Sequence, residues 1–411
     1  MKIGILSNNP KLYSTRRLKD AARARGHTVR IFSTSKFALD IQSGKPDLLY
    51  RGKPVAKVDA IIPRVASSQN FFGTSVIRQF EQMGVYCLNA SFAVSVSRDK
   101  LRSMQILSRH QIGIPHSAFV FDNSDIPSAL DRVGGAPVVI KLLRGSQGSG
   151  VLLAEKKSVA MSIIEALQLA GHNVLIQHFV AESKGTDIRA FVVGDRVVAA
   201  MRRTAQEGEF RSNVHLGGAT EAIELAPEYE RVALLAAHIM GLRVAGVDLL
   251  ETSSGPQVLE INSSPGLEGI ESATHLDIAT CIIEYVEEQM QFPDLDIRER
   301  LSLSKGYSIV EIPVGNKSAL ANKTIEEASI LEQEIQVLNI QRKGITIPTP
   351  RPIETIYPGD TLLCFGKQLA LKTLLPAKRS NRKKPKALDD ETIQAAKEAQ
   401  SESSSPNESI T

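Results

Sequence analysis

Apolar runs of strand length alternate with segments of helical period from the first residues of the chain. KIGILS (2–7) and HTVRIF (27–32) read as strands flanking a helix over residues 13–25, whose apolar positions recur every three to four residues until Gly26 stops it. VDAIIPR (58–64) and GVYCLN (84–89), with helical periodicity over 74–83 between them, extend the β-α-β opening into a mostly parallel sheet reaching about residue 95. The texture then changes. A helix over RDKLRSMQILSRHQ (98–111) ends at Gly113 and Pro115, and strands follow at SAFVF, PVVIKLL, NVLIQHF, IRAFVVG, RVVAAMRR, AGVDLLET and QVLEINS, with helices over 159–170, 227–240 and 276–290. The pattern predicts an α/β domain over 1–95 and a mixed α+β domain over 96–290. After the polar linker QFPDLDIRER comes a small α/β module over 305–376: strand YSIVEIPV, helix TIEEASIL, and strands IQVLNIQR and DTLLCFG. Residues 377–411 carry too few apolar side chains to repay the entropy of ordering and are expected to form a disordered charged tail. Six basic residues between Lys378 and Lys386 suit RNA, acidic protein or plain solvent alike.

Composition narrows this picture without redirecting it. With 411 residues, 42% apolar and 23% charged, the chain has room for two or three buried cores, which excludes wholesale disorder. A formal net charge of +4 is small for that length, so a nucleic-acid footprint over the whole surface is not implied. Cys87, Cys281 and Cys364 stand far apart without metal-ligand spacing, which predicts free thiols in a reducing compartment. No apolar run approaches the ~20 residues that span a bilayer, and MKIGILSNNP lacks the layout of a secretory signal, so a cytoplasmic protein without a membrane partner is expected. The turn after the first strand, SNNPKLYS, holds no glycine and so carries no dinucleotide fingerprint.

Candidate chemistry concentrates in GVDLLETSSGPQVLEINSSPG (246–266). Asp248 stands on one strand, Glu260 and Asn262 on the next, and the tight turn SSGP joins them. Alternation puts Glu260 and Asn262 on one face and leaves Leu259 and Ile261 for the core. Two carboxylates about 4 Å apart repel by roughly 4 kcal/mol at intermediate dielectric, so such a cluster favours a cation. An all-oxygen set suits one or two magnesium or manganese ions completed by water and nucleotide phosphates; an exposed polar hairpin is the plain alternative. In VVIKLLRGSQGSGV (138–151), Lys141 sits in an apolar strand just before Gly145, Gly148 and Gly150. A lysine among Val and Leu is costly to bury unpartnered, and the loop can present bare amides to an anion, which together suggest a phosphate clamp of a kind other than a Walker loop. Lys100, Arg189, Arg202, Arg203 and Arg211 add cations suited to carboxylate and phosphate, the last within EFRSNVHLGG beside Ser212, Asn213 and His215. No nucleophile elbow accompanies any histidine, so no hydrolase triad is assembled.

RDKLRSMQIL, GGAPVVIKLLRGSQGSGV, TDIRAFVVGDRVVAAMRR, GEFRSNVHLGG, AGVDLL and LEINSSPGLEGIE occur in this order, and together they resemble the RimK family of ATP-grasp ligases over residues 1 to about 290. The resemblance implies a pre-ATP-grasp Rossmann-like domain followed by an ATP-grasp fold. It also implies an ATP-dependent α-L-glutamate ligase, typified by the enzyme that adds glutamates to the C-terminus of ribosomal protein S six. By that analogy Lys100 and Lys141 would hold phosphates, the backbone at His178 and Phe179 would meet adenine, and Asp187 would take the ribose hydroxyls. Arg211, Ser212 and Asn213 would lie at the triphosphate, and Asp248, Glu260 and Asn262 would hold two divalent ions. The family usually has an acidic residue and a tyrosine where His178 and Phe179 stand. The implied mechanism forms an acyl phosphate from a substrate carboxylate and ATP, then an amide with the amine of glutamate, with Arg189, Arg202 and Arg203 as candidate contacts to the acyl phosphate and incoming carboxylates.

Residues 305–376 go beyond the short form of that family. IYPGDTLLCFG and the segments before it resemble the C-terminal regulatory domain of potassium-uptake regulators (TrkA-C), which implies a dimer or tetramer and a small-molecule regulator. Two other readings share these residues: a ligase joining an amino acid to a small molecule or peptide, and a nucleotide-sensing protein without turnover.

Overall fold

Strands buried on both faces must be apolar throughout, and β1 (Lys2–Leu6) is buried at every position after Lys2. A computed structural model describes residues 1–66, 69–143, 150–206, 209–211, 218–291, 307–316 and 318–374. They fall into two units, Met1–Asp294 and Leu295–Thr411. The first unit opens with β1, α1 (Tyr13–Ala24), β2 (Thr28–Phe32), an antiparallel excursion β3 (Phe37–Asp40), β4 (Asp47–Tyr50) and β5 (Lys53–Pro54), then β6 (Ala60–Pro63), α2 (Asn70–Gln82) and β7 (Tyr86–Cys87). β2, β1, β6 and β7 form a parallel sheet in that order. The chain leaves β1 toward one edge and β6 toward the other, so a crevice opens at their carboxyl ends. Phe32, Phe37, Tyr50 and Phe80 pack against one another, Phe32–Tyr50 and Phe37–Phe80 edge to face.

The helix expected over 98–111 is present as α4 (Lys100–Arg109), and a further helix, α3 (Ser91–Arg98), precedes it. Asp99 stands between them and caps α4 by accepting from the Arg102 amide at 3.0 Å. Next come β8 (Ser117–Phe119), α5 (Ile126–Arg132), β9 (Val138–Leu142), β10 (Val151–Ala154), α6 (Lys157–Leu169) and β11 (Val174–His178). β10, β9, β11 and β8 form an antiparallel sheet, and its Val138, Ile140, Val174 and Ile176 pack under α5 and α6. A third sheet follows, β14 (Ala219–Ala222), β13 (Arg196–Thr204), β12 (Thr186–Val193), β15 (Val244–Leu250) and β16 (Gln257–Asn262) in spatial order, all antiparallel. Ile188, Ala190, Val192, Val247 and Leu249 bury one face against α7 (Pro227–Ile239). On the other face Phe191, Val193, Ala199 and Met201 meet α8 (Glu268–Thr274) and α9 (Ile278–Gln291), in a core shared with Ile3 and Ile5 of β1. The helix expected over 276–290 is α9, and a left-handed His275 (φ 57°) separates it from the earlier α8.

The second unit holds β17 (Tyr307–Pro313), β18 (Lys323–Thr324), β19 (Gln336–Arg342), β20 (Ile345–Pro348), β21 (Thr355–Ile356), β22 (Thr361–Lys367) and α10 (Gln368–Leu374). Its main sheet runs β17, β22, β19, β20, over a core that includes Ile312, Ile340, Leu362 and Cys364. TIEEASIL is not the helix its pattern predicts. Its residues form turns and a single 3-10 turn at Leu331–Gln333, because Ile325 and Ile330 are both drawn into the core while Ser329 turns left-handed (φ 48°). The IYPGD turn is fastened by Asp360, which accepts from the Tyr357 amide (2.8 Å) and from Arg342 Nε and Nη2 (2.9 Å each). The expected tail, from residue 377 on, lies outside the described residues. All three cysteines are free, and among the described residues no helix is long and apolar enough to cross a membrane.

Candidate active site

Register in the third sheet decides which charged residues meet. Arg189 stands opposite Asp248, Asp248 opposite Glu260, Gly246 opposite Asn262, and Asp187 opposite Arg203. Residues paired across antiparallel strands share a face, so this register lines acid, amide and guanidinium groups along the end of the sheet that α8 and α9 leave uncovered. Arg189 donates to Asp248 through two parallel bonds, Nε to Oδ1 and Nη2 to Oδ2, both 2.7 Å. Arg203 forks onto Asp187 in the same way and reaches Asp248 Oδ2 at 2.9 Å. Asp187, Arg203 and Asp248 are only 2–3% exposed. Burial alone would raise the Asp248 carboxyl, but Arg189 and Arg203 hold it below the usual range. Burial raises Asp187 despite Arg203. Arg203 itself loses to burial and gains more from Asp248 and Asp187, so it stays charged.

Alternation fails between β15 and β16, and that failure shapes the site. A bulge at the Asp248/Leu249 step sets two residues of β16 against one of β15, since Asp248 faces Glu260 and Leu249 faces Val258. The extra residue is Leu259, expected on the core side, and it lines the cleft beside Glu260. Ile261 does face the core.

The opposite wall is the second sheet. Val139, Lys141, Val151 and Gln177 share the face turned toward the cleft, away from α5 and α6. Lys141 is 9% exposed, and burial pushes its ammonium down to about 8, with Lys100 adding to the shift and Glu260 and Asp248 opposing it. Lys100, in the first turn of α4, donates to Leu142 O (3.2 Å); burial lowers it too, against the pull of Glu260. Gly150, which closes the glycine loop, has φ 78°, and a Cβ there would come within 2.7 Å of Leu142 Cδ1. Gly145 and Gly148 lie outside the described residues, as do Ser212, Asn213 and His215.

His178 and Phe179 close one end of the cleft. The His178 ring turns away and donates from Nδ1 to Val133 O (3.0 Å), leaving main chain toward the cavity. Phe179 meets Phe210 edge to face at 6.5 Å, and Arg211 pairs with Glu209 at 2.6 Å, which holds Glu209 down at about 2. Phe210 and Lys184 also line the cleft, and neither stood out in the sequence.

Arg202 is not brought into this group. As the strand neighbour of Arg203 it points to the other face, pairs with Glu251 at 3.0 Å, and lines a separate hollow with Tyr229 and Ile223.

The donor set can be weighed against a divalent ion. Asp248, Glu260 and Asn262 offer hard oxygens on one face, with Asn262 Nδ2 3.5 Å from Asp248 Oδ2. Among the described residues no three His, Cys, Asp or Glu side chains form a cluster of their own. Two carboxylates and an amide fit an ion that takes its remaining ligands from phosphates and water, as magnesium does. Arg189 and Arg203 favour the ionised form of Asp248.

Comparison with known proteins agrees with this architecture. Residues 97–286 match the RimK-like ATP-grasp domain, residues 1–94 the RimK PreATP-grasp domain and residues 309–377 the TrkA-C domain. A relative from Rhodopirellula baltica, named probable alpha-L-glutamate ligase, is 56% identical over 386 residues, 94% of this chain and 95% of its own. One of the same name from Vibrio cholerae is 53% identical over 288 residues, 70% of this chain and 96% of its own. Among solved structures, a RimK domain ATP-grasp protein from Sphaerobacter thermophilus aligns with a TM-score of 0.55 at 22% identity, covering 69% of this chain and 99% of that one. The ATP-grasp ligase PsnB, complexed with a minimal precursor, Mg and ADP, also gives 0.55 at 22% identity, over 71% and 98%.

Proposed function

The chain belongs to the RimK-like ATP-grasp family and is an ATP-dependent ligase, and from that premise we propose that it adds glutamate by α-amide bonds to the C-terminal carboxylate of a protein, ribosomal protein S six being the acceptor the family resemblance favours. The observation that carries the reading is the cross-strand row Arg189, Asp248, Glu260, with Asp248 buried at its centre, facing Lys100 and Lys141: an acidic pair beside a cationic wall suits a metal-bound triphosphate.

In this reading Lys100 and Lys141 bind phosphate oxygens, main chain at His178 and Phe179 meets adenine, and Asp187 meets the ribose with the lone pairs that Arg203 leaves. Arg211, Ser212 and Asn213 approach the triphosphate. Asp248, Glu260 and Asn262 hold one or two ions, magnesium or manganese, which neutralise charge on the phosphates when bound. The acceptor carboxylate oxygen attacks the γ-phosphorus, the bond to ADP breaks, and the acyl phosphate forms. The glutamate amine then attacks the acyl carbon, loses a proton, and phosphate leaves with one oxygen of the acceptor. Arg189 and Arg203 steady the negative charge near these steps, and no side chain acts as nucleophile. Arg202, on the far face, has no part in it. ATP and ribosomal proteins place the reaction in the cytoplasm. The TrkA-C module serves as an oligomerising or regulatory appendage, to a dimer or tetramer.

The test is incubation with magnesium, ATP, glutamate and separated ribosomal proteins, read by intact mass. Stepwise glutamyl additions to one protein with matching ADP release support the reading. ADP release only with a small acceptor would move the substrate to a peptide or metabolite, and nucleotide binding without turnover on any acceptor would leave only a sensor.

A further inference from the structure

The chain that leaves the cleft after Asn262 is fastened step by step to the domain of the first parallel sheet. Asn89 donates to Ser263 O at 2.9 Å, Ser264 Oγ donates to Pro63 O at 3.3 Å, and Arg64 Nη1 donates to Pro265 O at 2.6 Å. The Leu267 amide then donates to Ser14 Oγ at 2.9 Å, in the first turn of α1. The last tie is ionic. Glu271, in α8, accepts at Oε2 from Tyr13 OH (2.9 Å) and from Arg17 Nε (2.8 Å), both on α1. Its Oε1 accepts from the Ala279 amide at 3.0 Å, in the first turn of α9, and Arg17 Nη2 goes on to Asp277 Oδ1 at 2.7 Å.

Glu271 is buried and takes no part in the reaction described above. Its neighbours Leu267 and Ile270 are fully buried in the core that holds Ile3, Ile5 and Leu18. Apolar residues of the same volume could hold α8 there as firmly as a buried ion pair, so stability alone does not call for an acid. What the carboxylate adds is direction, because a guanidinium, a hydroxyl and an amide converging on it admit one placement of the helix. Burial and Glu271 raise the Tyr13 hydroxyl, and the bond to Glu271 raises Arg17, so Tyr13 stays a donor and Arg17 a cation. That placement reaches the metal residues through one turn. Pro265 lies against Gly246, where an added Cβ would come within 2.9 Å of Pro265 Cβ and 3.6 Å of Arg189 Nε, and Gly246 stands opposite Asn262 on the strand that carries Asp248.

We propose that Glu271, clamped by Tyr13 and Arg17, is a positioning residue for the metal centre: it fixes α8 and the SSPG turn, and through them the spacing of Glu260 and Asn262 from Asp248. The proposal rests on the ligase reading and deepens it, since it makes the first domain part of the metal site without a ligand to the ion. Groups that orient metal ligands from behind typically cost roughly 10–100-fold in metal affinity when they are removed.

Manganese binding by the full chain, loaded with a non-hydrolysable ATP analogue and read by electron paramagnetic resonance, tests this. Arg17 is the better handle, its side chain being 32% exposed against 5% for Glu271. Arg17→Met should weaken manganese binding roughly tenfold. Turnover at limiting manganese should fall with it and recover as the ion is raised, whereas a packing defect would lower turnover at every metal concentration. Arg17→Lys, which keeps the charge, should regain most of the affinity. Tyr13→Phe leaves the ion pair in place and should show a smaller loss of the same kind, which decides the matter if Arg17→Met does not fold. Manganese affinity unchanged in the variants that fold, or a loss of turnover that saturating manganese leaves in place, overturns the proposal. A wild type that holds no manganese with the nucleotide overturns it together with the ligase reading. Affinity that falls in variants of a chain that ligates nothing would count against the ligase reading and still support this one.

Discussion

Glu260 and Lys141 carry the sharpest expectations at the scale of single residues. No described residue donates a hydrogen bond to Glu260, so Glu260→Gln should leave the unfolding midpoint nearly unchanged while kcat falls by roughly 10²–10³-fold or more. Thermal unfolding and ADP release on one preparation check both, and retained turnover would remove Glu260 from the metal set. Lys141 titrates at about 8 in the folded protein because it is buried. Below that pH both folded and unfolded states hold its proton. Between about 8 and the ordinary lysine value near ~10.4 the unfolded state holds more, so this group's contribution to stability rises with pH there. ATP affinity should move the other way, falling as pH passes 8, because a neutral amine cannot hold phosphate. A nucleotide titration from acid to alkaline pH reads it, and Lys141→Arg should flatten the fall; a flat wild-type profile would contradict the phosphate role. Much at this scale was legible in sequence, since Lys141 is odd in its strand and Glu260 and Asn262 alternate in theirs. Arg202 shows the limit: alternation forbids it and Arg203 from sharing a face, yet only the pairing of Arg203 with Asp187 tells which one enters the cleft.

At the scale of elements, periodicity gave strands and their faces better than it gave breaks and bulges. The Leu259 bulge depends on how β15 and β16 pair, and α3, which ends where the predicted helix begins, went unmarked. Asn89 was invisible for the same reason, because its worth lies in long-range partners. Its side chain donates to Val244 O (2.8 Å) and Ser263 O (2.9 Å) and accepts from the amides of Arg243 (2.8 Å) and Val244 (3.1 Å), fixing the start of β15 and the SSPG turn to the first sheet. Asn89→Ala strands these buried groups, and denaturant unfolding should show a loss of about 1–3 kcal/mol. Gly246→Ala acts on the same turn: its Cβ must displace Pro265, so turnover should fall well before nucleotide binding does. Comparing kcat with the Kd of ATP separates the two, and equal losses would mean a general packing defect.

The whole molecule adds a question of parts. Residues 1–294 form a unit with a core of their own, and the Vibrio cholerae relative, aligned over 70% of this chain, spans nearly its own full length without a counterpart to the rest. A chain ending at residue 294 should therefore unfold cooperatively and still ligate, with any change of association state assigned to what was removed; loss of folding would show that the first unit depends on the second. The fold of both units was readable from patterning and family resemblance. In the ligase reading this cleft activates a carboxylate by phosphorylation. Supplying an acceptor peptide whose terminal carboxylate carries heavy oxygen tests it most directly: the phosphate released with the first glutamyl bond on each peptide should carry one labelled oxygen, and phosphate from later additions none. Unlabelled phosphate from a single addition, or label passing into AMP, would contradict it.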